Sequence, residues 1–91
     1  MDENEIRTTL KQVIADDTGI QTESLADDTS FRKDLKLDDL SLLELGVDID
    51  LKFGLEVPDE IWLEQDCLRD WIDLIQRISH ERARPPDKKA Q

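Results

Sequence analysis

The stretch FRKDLKLDDLSLLEL, residues 31–45, holds the side chains of this chain best arranged for chemistry: adjacent carboxylates at Asp38 and Asp39, then a hydroxyl at Ser41. Such a cluster is either the mouth of a functional site or an ordinary helix start. Asp38 can accept a free backbone N–H of a first helical turn. An acid at Asp39 would gain roughly 0.3–1 kcal/mol from the helix dipole. The rest of the chain does not equip these acids for catalysis. Cys67 is the only cysteine, which excludes an internal disulfide and a multi-cysteine metal site. His80, the only histidine, lies near the C-terminal end, far from the acids in sequence. No metal-ligand cluster or glycine-rich phosphate loop accompanies them. The sequence therefore predicts no enzyme, no catalytic residue and no metal ligand.

The elements that must position this stretch are helical. Ile6, Leu10, Val13 and Ile14 fall at i, i+4, i+7 and i+8, one stripe of a helix from Glu3 to about Asp17. Asp2, Glu3 and Glu5 suit its start and Gly19 its exit. A long connection, Ile20 to Leu37, holds turn-forming acids and hydroxyls. Ile20, Leu25, Phe31 and Leu35 can pin it to a core. The second helix runs from about Asp39 to Phe53, with Asp38 as N-cap, Leu42, Leu45, Ile49 and Phe53 as buried stripe, and Gly54 closing it. After Pro58, a short helical turn should carry Ile61, Trp62 and Leu63 inward. Asp66 is placed to cap a last helix whose stripe is Leu68, Trp71, Ile72, Ile75 and Ile78. Trp62 and Trp71 read as core, and Cys67 as structural, although a helix N-terminus would lower its pKa. The fold class is all-α: a bundle of three longer helices and one short one over residues 1–80, with residues 81–91 a disordered tail.

The chain has 91 residues, enough for one small domain with a modest core. Its net charge is −11, from 23 acidic against 12 basic residues. The tail carries four basic and two acidic residues, which leaves −13 on residues 1–80. Such a surface repels phosphate backbones and anionic membranes, so neither nucleic acid nor membrane is an expected partner. A protein with a basic patch is, because opposite fields steer encounter. No apolar run is long enough to span a bilayer, and MDENEIRTTL lacks the basic and apolar regions of a signal peptide. The reading is a cytoplasmic monomer.

The order and spacing of these pieces resemble the acyl carrier proteins of fatty-acid and polyketide synthesis over roughly residues 3–78. That family's long first loop ends in Phe and Asp-Leu-Gly. Asp-Ser-Leu then opens the second helix, and Glu-Leu, Phe and Pro-Asp follow. The counterparts are Phe31, Asp34-Leu35-Lys36, Asp38-Asp39-Leu40, Glu44-Leu45, Phe53 and Pro58-Asp59, in register without a gap. The resemblance implies an acyl-carrier-like four-helix bundle. It also implies that the serine bearing 4′-phosphopantetheine in the family is replaced by Asp39. A carboxylate offers no hydroxyl for that bond, so no arm is expected at Asp39. The family's loop glycine is likewise Lys36. The alternatives are attachment at Ser41, or an introduced change of the native serine to Asp39. Ser41 sits two residues on, where a helix turns the side chain by about 200° away.

The same resemblance implies docking of acyl-transfer or synthase enzymes on the acidic second helix, at Asp38, Asp39, Leu40, Glu44, Val47, Asp48 and Glu56. Leu51 stands where the family usually has an acid, which means either a shifted partner preference or extra burial. Two functions follow: an armless, acidic interaction protein, or a working acyl carrier using one of the alternatives above.

Overall fold

A computed structural model describes residues 2–83 as four α-helices: α1 (Glu3–Thr18), α2 (Asp39–Phe53), α3 (Asp59–Leu63) and α4 (Leu68–Ala83). Each start has a local cause. Asp2 caps α1 by accepting from the Glu5 backbone N–H at 2.8 Å while the Glu5 carboxylate accepts from the Asp2 N–H, a reciprocal capping box. Asp38 caps α2 as expected. Gly19 and Gly54 end α1 and α2 in the left-handed region, at φ 80° and 67°. The α4 helix continues to Ala83, past the expected end of the bundle at residue 80. The rest of the expected tail, 84–91, lies outside the described residues.

The long connection is held down by the side chains the sequence suggested. Phe31 and Leu25 are buried, and Ile20 and Leu35 pack half-buried against the core. It contains one 3₁₀ turn, Thr22–Ser24, and Ser30 makes a single antiparallel bridge to Cys67. The core joins Ile6, Leu10 and Ile14 of α1, Leu42, Leu45 and Ile49 of α2, Trp62 of α3, and Leu68, Trp71, Ile72, Leu74 and Ile75 of α4. Phe31 lies 4.5 Å from Trp71 by ring centroid, and Trp62 meets Trp71 edge-on at 5.4 Å. Both are favourable aromatic geometries.

Several expectations need correction. Phe53, Ile61 and Leu63 are half-buried, and only Trp62 of the short helix is fully enclosed. Leu74 joins the buried side of α4. Asp66 does not cap α4. Its carboxylate turns back to the first loop, accepting from the Ser30 hydroxyl and from the Arg32 backbone N–H. Cys67 is not activated by the helix start, because partial burial pushes its thiol pKa up.

The first loop is also fastened by charge. Arg7 of α1 binds Glu3 and Asp27 at 2.6 and 2.7 Å, and Arg69 of α4 binds the same two carboxylates at 2.7 and 2.9 Å. Two guanidinium groups therefore share two acids across α1, the loop and α4. Their donors hold Glu3 at a pKa of about 2 and Asp27 well below the usual carboxylate range.

Candidate functional site at the start of the second helix

The two adjacent acids have separate roles. Asp38 is extended (φ −94°, ψ 178°), and its Oδ1 accepts from the Ser41 backbone N–H at 2.9 Å. That bond holds the Asp38 carboxyl below its ordinary pKa. Asp39 opens the helix itself, with its side chain 76% exposed. Arg32 donates to Asp39 Oδ1 through Nη2 at 3.1 Å. The same guanidinium donates to the backbone carbonyls of Leu63 at 2.8 Å and Gln65 at 3.1 Å. Arg32 thus ties the start of α2 to the end of α3 and the connection beyond it. Sequence reading passed over Arg32; its one available signal was a cation seven positions ahead of Asp39.

Lys36 holds the left-handed conformation, at φ 60°. Glycine adopts that region freely, whereas a residue with a Cβ is strained there. The backbone has kept a glycine-like turn without the glycine.

Ser41 is half-buried. It lies in an open cleft with Asp17 and Thr18 of α1 and Glu44 and Asp48 of α2. Helical geometry turns it about 200° from Asp39.

Along the outer side of α2 stand Leu40, Val47 and Leu51, at 64, 39 and 77% exposure. Leu51 is therefore not buried, which removes extra burial as the explanation for it. Glu44 and Asp48 are exposed beside the apolar residues. Asp48 lies against Asp17 of α1, and this neighbour, with partial desolvation and the charges of Asp16 and Glu44, raises the Asp17 pKa to about 6. That Asp16 and Asp17 adjoin α2 did not follow from the sequence, because nothing local marks the end of one helix as adjoining the middle of another. Glu56 lies apart from that cluster. It follows α2 in a left-handed conformation (φ 58°), with its N–H bound to Asp50 Oδ1 at 2.7 Å. Among the described residues no group of three or more His, Cys, Asp or Glu is arranged to hold a metal ion. No helix among them is long and apolar enough to cross a membrane.

A four-helix bundle with a long, pinned first loop and an acidic second helix is the architecture that the carrier-protein resemblance implies. Residues 8–75 match the family described as "Phosphopantetheine attachment site". The chain is 31% identical over 83 residues to an acyl carrier protein of Rubrobacter xylanophilus, covering 91% of this chain and all of that one. It is 35% identical over 81 residues to an acyl carrier protein of Rhodococcus erythropolis, covering 89% of each. With a meromycolate extension acyl carrier protein of Mycolicibacterium smegmatis it shares 32% over 79 residues, covering 87% of this chain and 80% of the other. The chain belongs to the acyl carrier protein family. These relatives are carriers rather than enzymes.

Proposed function

We propose that this protein is an acyl carrier protein in fold that no longer carries the arm, and that it acts as an acidic interaction protein among enzymes of fatty-acid or polyketide type. Asp39 occupies the position of the attachment serine, in register with Phe31 and Glu44-Leu45. The observation that carries the reading is the Asp39–Arg32 pair. A carboxylate in an ion pair presents neither a hydroxyl nor a free nucleophile, so the residues at this position do not fit 4′-phosphopantetheine. Ser41 does not substitute for it, being half-buried and turned away.

Two further features agree. Phe31, Trp62 and Trp71 pack against one another and fill the interior of the bundle. The exposed side of α2 keeps Leu40 and Val47 with Glu44 and Asp48 along one flank, a combination suited to a partner that sets basic residues beside an apolar surface. Asp38 shapes this face by capping α2; Glu56 stands apart from it. The protein works as a monomer in the cytoplasm. Asp39 fixes a negative charge where a loaded carrier bears its phosphate. It mimics that group only in part, since phosphate brings more charge and more acceptor oxygens.

Intact mass after incubation with coenzyme A and a broad-specificity phosphopantetheinyl transferase tests the reading, with Asp39→Ser in parallel. The parent stays unmodified and the variant gains one arm. A mass gain in the parent overturns the reading and makes Ser41 the acceptor to map.

A further inference from the structure

The shortest helix is the one least able to hold itself. α3 has five residues, Asp59–Leu63, too few to offset the cost of starting a helix. Pro58, at its start, has no side-chain oxygen to accept a first-turn N–H. At its other end lie carbonyls that so short a helix cannot bond internally. Side chains from elsewhere meet them. The Trp71 indole N–H donates to the Trp62 carbonyl at 3.3 Å, and Arg32 Nη2 donates to the Leu63 carbonyl at 2.8 Å. Arg32 Nη1 reaches on to the Gln65 carbonyl at 3.1 Å.

A second set of bonds delivers Arg32 to that place. The Phe31 N–H donates to the Asp66 carbonyl at 2.7 Å, and the Arg32 N–H to Asp66 Oδ1 at 3.2 Å. The Ser30 hydroxyl donates to Oδ2 of the same carboxylate. With its backbone held, Arg32 has only its guanidinium left to orient. Nη2 carries two N–H donors and serves two acceptors, the Leu63 carbonyl and Asp39 Oδ1, the latter at 3.1 Å. The guanidinium is planar and rigid, so the carboxylate that fixes one edge also aims the donors on α3. Asp39 belongs to α2, yet through Arg32 it helps to support the end of α3.

We propose that Arg32 is a positioning residue that makes the order of α3 depend on a negative charge at position 39. An aspartate there fastens α3 permanently. A neutral side chain in its place leaves the guanidinium less well aimed and α3 looser. The inference goes beyond the interaction-protein reading and concerns this chain alone, without a partner or an arm.

Amide hydrogen exchange of the full chain, followed residue by residue by NMR, tests it. The reporters are the N–H groups of Ile61, Glu64 and Gln65, bonded to the carbonyls of Pro58, Ile61 and Trp62 at 3.0, 3.2 and 3.4 Å. Amides in the middle of α1 are the reference for global opening. Asp39→Asn keeps the shape of an exposed side chain and removes its charge. Relative to α1, it speeds exchange at the reporters about twofold, the size expected for one exposed ion pair, and less at high salt. Arg32→Gln speeds it about tenfold, because the carbonyl bonds are lost as well. Added to Arg32→Gln, Asp39→Asn has no further effect, a non-additivity that separate local losses would not produce. The inference is overturned if Asp39→Asn leaves the reporters unchanged, since Arg32 then clamps α3 whatever stands at position 39. It is also overturned if Asp39→Asn acts equally with and without Arg32, or if α1 speeds up in step with α3. The first of these results stays measurable even where Arg32→Gln does not fold, and none of them bears on whether the chain accepts an arm.

Discussion

Adjacent carboxylates can look equivalent in a sequence and differ in physical role. Asp38 satisfies a backbone N–H that would otherwise be unpaired at the start of α2. Asp39 points outward and meets Arg32 across an exposed, solvent-screened gap. Their removal should therefore cost different amounts. Asp38→Ala loses a cap and destabilises the protein by about 1 kcal/mol. Asp39→Ala loses one exposed ion pair, worth less than about 0.5 kcal/mol. Urea unfolding of the two variants beside the parent measures the difference. Equal losses would mean that the Asp39–Arg32 pair is structural in the same degree as the cap, which would weaken the assignment of Asp39 to a functional position. The doubled acid announces a helix start; the sequence alone does not reveal that Arg32 neutralises its second member.

Between elements, the closest fit is α2 against α3. Gly46 is buried on α2, and a Cβ built there would lie 2.5 Å from Cγ of Trp62 and 2.8 Å from its Cβ. Trp62 is itself enclosed, its Nε1 buried without an acceptor among the described residues, so the indole has no room to withdraw. Gly46→Ala should cost about 1–3 kcal/mol through overpacking, even though alanine is the better helix former. A lowered urea midpoint with unchanged m-value would register it. A stabilised variant would show that Trp62 can shift at little cost. This contact also marks where legibility ended. The stripes of α1, α2 and α4 were readable because helical periodicity reports the buried side directly: Ile6, Leu10, Leu42, Ile49, Trp71 and Ile75 all lie inside. Gly46 carried no such signal, since a glycine has no side chain to register in a stripe. Asp66 was misassigned for a related reason. Position just before α4 suggested a cap, but a carboxylate binds whichever donors the tertiary fold brings nearest, and those are Ser30 and Arg32. In the candidate site, the outer residues of α2 followed from helical spacing. The contribution of Asp16 and Asp17 depended on the packing of α1 on α2, which no local pattern encodes.

Across the whole molecule, charge opposes folding in one region and supports it in another, and pH separates the two. Glu3 is held at about 2, below its ordinary 4.5, by Arg69 and Arg7, and Asp27 is depressed by the same pair. Groups with lowered folded pKa values contribute stability that is present above their ordinary values and is lost as pH falls toward about 2. Asp17 has the opposite sign. Its pKa is raised from 3.8 to about 6 beside Asp48, so its contribution is complete below 3.8 and is lost as pH rises through about 6. Thermal stability should therefore peak between about pH 4 and 5 and decline on both sides. Each limb has its own variant. Arg69→Gln removes donors from Glu3 and Asp27, lowering stability at neutral pH and flattening the acid limb. Asp17→Asn removes the crowded proton site, which raises stability at pH 7 by less than about 1 kcal/mol, because the pair is exposed, and flattens the limb above pH 5. Melting curves from pH 2 to 8 on the three proteins measure both effects. If Asp17→Asn left the upper limb unchanged, the decline would belong to the net charge of −11 as a whole and not to the α1–α2 carboxylates. A limb that does flatten locates the repulsion where the end of α1 meets α2, between Asp17 and Asp48.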